Sequence, residues 1–161
     1  SRTEERARKL TLSDGYLSVG KTILCRRDDA ARYKSLADVN QPDVRILYNP
    51  GGTNEHFIKT HLPKAALITW ADNSRIPSRL VSGHADVMVT DTVEAAYYAH
   101  QYPELTAPLI DKPFTTGEFC LLMGRESAPL VSEVNEVLRK FREDGTLLDL
   151  KKKYLGSLAD A

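Results

Sequence analysis

Two short stretches of the 161-residue chain hold residue types that can do chemistry in a fixed place. The first is Asn49-Pro50-Gly51-Gly52-Thr53-Asn54-Glu55. Two adjacent glycines permit backbone angles that other residues avoid and let a ligand approach the main chain. If a helix opens at Thr53, its first N–H groups have no acceptor within the helix and sit at the positive end of its dipole, which suits a carboxylate. The Thr53 hydroxyl and the Asn54 amide add side-chain donors. The plain alternative is a turn capped by Thr or Asn. The string is not a Walker motif, because no Gly-Lys-Ser/Thr follows, and it is not GxGxxG.

The second stretch is Thr90-Asp91-Thr92-Val93-Glu94. Asp91 falls where a helix cap belongs, and Glu94, three residues on, completes a capping box. The other reading is that Asp91 pairs with a ligand ammonium while Glu94 reaches the same crevice. A carboxyl group shut in a dry cleft keeps its proton to higher pH and can act as a general acid.

Other side chains are less informative. His56 and His61 are five apart, the wrong spacing for one helical face, and His84 and His100 have no ligand partner nearby. No metal site is expected. There is no GxSxG elbow. Lys151-Lys152-Lys153 reads as a solvated helix end. Cys25 and Cys120 both lie in apolar runs, so free buried thiols are expected, with one disulfide as the alternative.

The elements that must position these stretches alternate. Strand-like runs occur at Lys21–Arg26, Arg45–Tyr48, Ala65–Trp70, Ala85–Val89 and Gly117–Met123. Helical spacing fits Glu55–Leu62, Ile76–Val81, Val93–His100, Leu130–Arg142 and Thr146–Leu155. Ser13-Asp14-Gly15-Tyr16 reads as a turn. The alternation predicts an α/β fold, a largely parallel five-stranded sheet flanked by helices. In such sheets ligands gather at the carboxyl ends of strands, where both stretches fall.

Composition excludes several classes. Hydrophobic residues are 42% and charged residues 27%, a globular balance rather than a disordered one. Lys plus Arg is 22 and Asp plus Glu is 22, so no basic excess points to nucleic acid. The apolar runs, such as Ala65–Ile68, are too short for membrane insertion. The opening Ser1-Arg2-Thr3-Glu4-Glu5-Arg6 has no leader character, as expected of a mature secreted form or of a fragment.

In this order, the stretches resemble the type II periplasmic solute-binding fold, and within it the cyclohexadienyl (prephenate/arogenate) dehydratase family. The resemblance rests on Asn49–Glu55, on Ala85-Asp86-Val87-Met88-Val89-Thr90-Asp91 and on Glu94-Ala95. Leu12–Tyr16, Gly20-Lys21-Thr22 and the Gly145–Leu155 helix also fit, although Gly15 stands where the family usually has proline. The family has two lobes around a cleft. By that resemblance, residues 1–19 are the end of the first lobe and the crossover. Residues 20–123 are the second, ligand-binding lobe, and residues 124–161 are the returning C-terminal helices. The first-lobe sheet, with its aromatic wall and its arginine, is missing.

The resemblance implies that Gly52, Thr53 and Asn54 bind a substrate carboxylate. Asp91 matches the position that holds an amino group in amino-acid binders, and Glu94 matches the dehydratases' general acid. No metal or organic cofactor is implied. The ligand would be a small carboxylate or an amino acid, and the location periplasmic. Glu94 favours a dehydratase; an amino-acid-binding protein of an ABC transporter and an inactive remnant or scaffold are the alternatives. Half a cleft cannot desolvate a substrate. The returning helices would also expose Leu130, Val134, Leu138 and Phe141, so a homodimer or a further N-terminal lobe is expected.

Overall fold

A computed structural model describes residues 1–156. In chain order the elements are α1 (Glu4–Lys9), β1 (Thr11–Val19), β2 (Lys21–Arg26), α2 (Leu36–Val39), β3 (Arg45–Tyr48), α3 (Thr53–His61) and β4 (Ala66–Thr69). They continue as α4 (Ile76–Val81), β5 (Val87–Asp91), α5 (Thr92–Gln101), β6 (Leu105–Thr106), β7 (Gly117–Met123), α6 (Val131–Glu143) and α7 (Thr146–Leu155). The chain divides into two compact units. One joins Ser1–Gly20 to the chain from Thr115 onward; the other is Lys21–Phe114. Positions 157–161, the end of the returning C-terminal segment expected from sequence, lie outside the described residues.

The 21–114 unit is built on a five-stranded sheet in the order β4-β3-β5-β2-β6. Strand β3 runs parallel to β4 and β5, whereas β2 runs antiparallel to β5 and β6. Four strands therefore point one way and β2 points the other, a mixed sheet that is mostly parallel. The connection from β2 to β3 holds only a 3-10 segment and the one-turn α2, not a full crossover helix. Nothing there obliges β2 to run parallel to its neighbours.

Burial follows the period of two. Ile23 and Cys25, Ile46 and Tyr48, and Val87 and Val89 enter one apolar cluster, with Phe57, Ile58 and Leu62 of α3 and its C-terminal boundary. Leu24, Leu47 and Met88 enter the other, with Ile76 and Leu80 of α4. Both faces are thus covered, which is why these strands read as unbroken apolar runs. Cys25 is fully buried, and burial pushes its thiol up to about 12. Both cysteines are free thiols.

An ion-pair network closes one edge of this unit. The Arg45 guanidinium donates to both Asp86 oxygens, at 3.0 and 2.8 Å, and its backbone N–H adds a third bond at 2.9 Å. Arg26 donates to the same carboxylate at 3.0 Å. Burial raises the Asp86 pKa, but the Arg45 side chain and backbone, followed by Arg26, outweigh it and bring it to about 2. A carboxylate lowered in the folded state stabilises above its unfolded value of 3.8. That contribution is lost as pH falls through about 2. The shift corresponds to roughly 2 kcal/mol. Asp86→Asn is expected to remove about that much stability at neutral pH and to flatten the acid limb of urea midpoints measured against pH. A variant that keeps the wild-type acid limb would refute the assignment.

The other unit corrects two sequence expectations. Gly117–Met123 was expected in the main sheet, but it pairs antiparallel with β1 in a separate two-stranded sheet. The two-residue β6 takes the fifth place instead. The expected turn at Ser13–Tyr16 is instead the middle of β1, with register shifts on either side of Gly15. Ser13 is buried and accepts from the Leu121 N–H at 2.9 Å. Gly15 has no side chain to displace the Glu118 carboxylate lying against it. Long ladder pairing overrides local turn chemistry here.

Helix α6 packs on β1 and α7 on α6. Of the apolar residues expected to be exposed, Leu130 and Phe141 are exposed, Val134 is half-buried and Leu138 is buried. Among the described residues no helix is long and apolar enough to cross a membrane.

Candidate functional site

The carboxyl ends of β3 and β5 in the 21–114 unit bring three expected residues together. Between β3 and α3, only Gly51 needs a left-handed backbone, at φ 95°. Gly52 is the N-cap, at an ordinary extended φ of −120°, and a Cβ there would meet open space. The Gly51 N–H donates to Glu55 at 2.7 Å, and Glu55 also pairs with Lys59 at 2.6 Å, which fixes the turn to the helix. The Asn49 amide donates to the Ala71 carbonyl at 2.6 Å and ties the turn to the end of β4. No side chain caps α3. Its first-turn N–H groups, at Thr53 and Asn54, have no acceptor within the helix.

Thr53 and Asn54 face the ammonium of Lys21 instead of capping. Lys21 Nζ donates to Thr53 Oγ1 at 2.9 Å and to Asn54 Oδ1 at 2.5 Å. It also donates to Asp91 Oδ1 at 2.9 Å. The ion pair is buried, its side chains 9% and 14% exposed. Strand register explains the meeting: Lys21 and Asp91 are directly opposite in the antiparallel β2–β5 pair, so their side chains share a face. Asp91 is the N-cap residue of α5 but makes no side-chain cap bond.

Glu94 is held elsewhere. Its Oε1 accepts from the Asn73 amide at 2.8 Å, and its Oε2 is hydrogen-bonded to the Thr90 hydroxyl. Tyr98, one turn further along α5, lies near enough for Glu94 to matter to it. Burial first, and then the Glu94 charge, push its phenol up to about 12. Glu94 thus lies among Thr90, Asn73 and Tyr98, whereas Thr53, Asn54 and Asp91 converge on Lys21. The capping box is not formed by either carboxylate.

Sequence reasoning did not single out Lys21 as a site residue, nor Asn73. Lys21 carried a signal, a lone lysine opening an otherwise apolar strand. Its use depended on β2 running antiparallel to β5. The three ammonium hydrogens of Lys21 are taken by Thr53, Asn54 and Asp91, so the donors that suit a ligand carboxylate are the Thr53 hydroxyl, the Asn54 N–H₂ and the N-terminus of α3. No group of three or more His, Cys, Asp or Glu side chains able to hold a metal is present among the described residues.

The chain as a whole is similar to known proteins. The profile of the bacterial extracellular solute-binding proteins, family 3, matches residues 1–157. A cyclohexadienyl dehydratase from Pseudomonas aeruginosa is 39% identical over 124 residues, which are 77% of this chain and 46% of that protein. The crystal structure of the ancestral amino acid-binding protein AncCDT-1, a precursor of cyclohexadienyl dehydratase, superposes with a TM-score of 0.81 at 35% identity. It covers 96% of this chain and 66% of its own. An ancestral cyclohexadienyl dehydratase, AncCDT-3(P188L), is 46% identical with a TM-score of 0.59, over 96% of this chain and 64% of its own. The chain spans about half the length of the curated relatives it matches. With the family profile spanning nearly every residue, the chain belongs to the bacterial extracellular solute-binding proteins, family 3.

Proposed function

We propose that this chain is the ligand-binding part of a cyclohexadienyl dehydratase-like protein. The observation that carries the reading is the buried ion pair of Lys21 with Asp91. In an amino-acid binder a carboxylate at the end of β5 would be open to the ligand's ammonium. Here the protein's own ammonium takes it. What is left for a ligand is the first turn of α3 with Thr53 and Asn54, which suits carboxylates.

Prephenate and arogenate carry a ring carboxylate and a ring hydroxyl. In the proposed reaction Glu94 gives its proton to that hydroxyl, and the ring C–O bond breaks to release water. The bond from the ring to its carboxylate breaks at the same time. Its electron pair stays in the ring, which becomes aromatic as carbon dioxide leaves. Glu94 is left as a carboxylate and regains a proton from solvent. Orientation at α3 and exclusion of water supply the rest of the acceleration. Identity to the Pseudomonas aeruginosa dehydratase supports this reading.

The second reading is an amino-acid-binding protein of an ABC transporter, favoured by the close superposition on the ancestral amino acid-binding protein. Either activity belongs to a longer, two-lobed arrangement. We infer that the 21–114 unit supplies the second lobe, not the 20–123 span expected from sequence, and that the segments on either side of it, β7 included, belong with the first. The rest of that first lobe comes from an N-terminal portion or a second copy, which light scattering of the eluting species separates. The family's extracellular character supports a location outside the cytoplasm, and we infer the periplasm.

The test uses the natural full-length protein with prephenate or arogenate at neutral pH, and phenylpyruvate or phenylalanine is detected by mass. Product is expected. No product, with calorimetric binding of an intact amino acid, would establish the transport reading. Neither product nor binding would mark an inactive remnant.

A further inference from the structure

The turn before α3 follows β3, and Glu94 follows β5. One short segment bonds to both: the connection from β4 to α4. On one side the Asn49 amide, just ahead of Pro50 in that turn, donates to the Ala71 carbonyl at 2.6 Å. On the other the Asn73 amide donates to Glu94 Oε1 at 2.8 Å. Only Asp72 stands between Ala71 and Asn73, so three consecutive residues link the ligand-binding turn to Glu94.

Polar contacts, rather than burial, hold this segment in one place. Ala71 and Asp72 are exposed. The Trp70 N–H donates to the Tyr48 carbonyl at 2.8 Å and continues the β3–β4 pairing. The Trp70 ring packs on the apolar cluster of Leu47 and Met88, with the Arg79 guanidinium 4.0 Å over it. Asp72 accepts from the Ser74 N–H at 3.1 Å and the Ser74 hydroxyl at 2.6 Å, and pairs with Arg75 at 3.2 Å. Ile76 and Pro77, where α4 begins, are buried again. An exposed connection keeps one geometry only while such ties hold, because few apolar contacts oppose its local motion.

We propose that Asn49 and Asn73 are positioning residues that act together as one strut. The strut sets the separation between a ligand carboxylate held at α3 and the carboxyl group of Glu94. The α3 turn keeps its own shape without Asn49, through the Gly51 N–H on Glu55 and the Glu55–Lys59 pair. What Asn49 supplies is the bearing of that turn on Glu94. The ring of prephenate or arogenate holds a carboxylate and the leaving hydroxyl a fixed distance apart, so the protein must present its anchor and its acid at a matching distance. A misplacement of about 1 Å costs roughly 10²-fold in rate. The part in turnover rests on the dehydratase reading; the strut itself does not.

Two measurements test the proposal with Asn49→Leu and Asn73→Leu, which keep the branched shape and remove the donors. In the full-length protein each is expected to lower kcat by roughly tenfold or more with KM unchanged, because Thr53, Asn54 and the start of α3 are left intact. The double variant should be no worse than the worse single one, since both cut the same strut. Losses that multiply in the double variant, or a change confined to KM, overturn the joint role. In NMR of the 161-residue chain, Asn49→Leu is expected to move the Asn73 side-chain amide resonance. Shifts confined to the α3 turn, with the Asn73 amide unmoved, overturn the strut. A moving Asn73 resonance in a protein with no turnover would retain the strut and reject the dehydratase reading alone.

Discussion

Glu94→Gln is expected to lower turnover of prephenate or arogenate by roughly 10²–10⁴-fold, the range a positioned general acid contributes. The substitution suits the test because the fold should accept it. A glutamine carbonyl can still accept from Asn73, and its N–H₂ can donate to Thr90, since a hydroxyl takes either role. The shape and the two hydrogen bonds are kept, and no transferable proton remains. Ligand affinity measured by calorimetry should therefore change little while kcat falls. Glu94→Asp separates geometry from acidity. It keeps a proton but draws the carboxyl back by one methylene from Asn73, so its kcat should also fall. Wild-type turnover in Glu94→Gln would remove Glu94 from the chemistry. Loss of affinity without loss of kcat would make it a binding residue.

Which parts of this site were legible in the sequence follows from how far each contact reaches. The two buried faces were legible because alternation along β2, β3 and β5 is local: Ile23 and Cys25 lie on one side and Leu24 on the other. The α3 junction was legible because glycine chemistry and a helix start are written in consecutive residues. Thr53, Asn54 and Asp91 do converge, as the strand-end argument required. What they converge on was not legible. The ammonium of Lys21 reaches Asp91 from 70 positions away, and only because β2 is reversed against β5. A wholly parallel reading of the alternation places that lysine at the other end of its neighbour. Asn73 was hidden for a related reason. Its amide meets Glu94 across 21 positions, whereas Asp72-Asn73-Ser74 reads locally as helix-cap chemistry. That local reading also holds, since Asp72 accepts from the Ser74 N–H at 3.1 Å. In β1 the error had the opposite sense: Asp14-Gly15 has turn chemistry, but pairing along β7 from Gly117 to Met123 outweighs it.

The reversed strand makes Lys21 the residue whose loss should be felt most widely. Lys21→Met keeps the apolar stem and removes the charge. It leaves the Asp91 carboxylate, 14% exposed, with its ion-pair partner gone, and three acceptors without their shared donor. Breaking a buried pair from one side costs about 3–5 kcal/mol. Because the cost comes from the stranded charge rather than from the lost attraction, Lys21→Met/Asp91→Asn should recover most of it. Urea unfolding of the wild type, both single variants and the double variant reads this directly. Additive losses would mean that the two side chains act independently and that the pair is incidental. The same variants should divide the ligands. In Lys21→Met the freed carboxylate faces the site beside Thr53 and Asn54, so amino acids gain a counter-ion for their ammonium. Prephenate, which has no ammonium and two carboxylates, loses a nearby positive charge. Calorimetry is therefore expected to move affinity from the dicarboxylate towards amino acids in Lys21→Met, with Asp91→Asn moving it the other way. If Lys21→Met weakens both ligand classes by the same factor, Lys21 supports the site's structure and does not select its ligand. The choice between dehydratase and amino-acid binder then rests on Glu94.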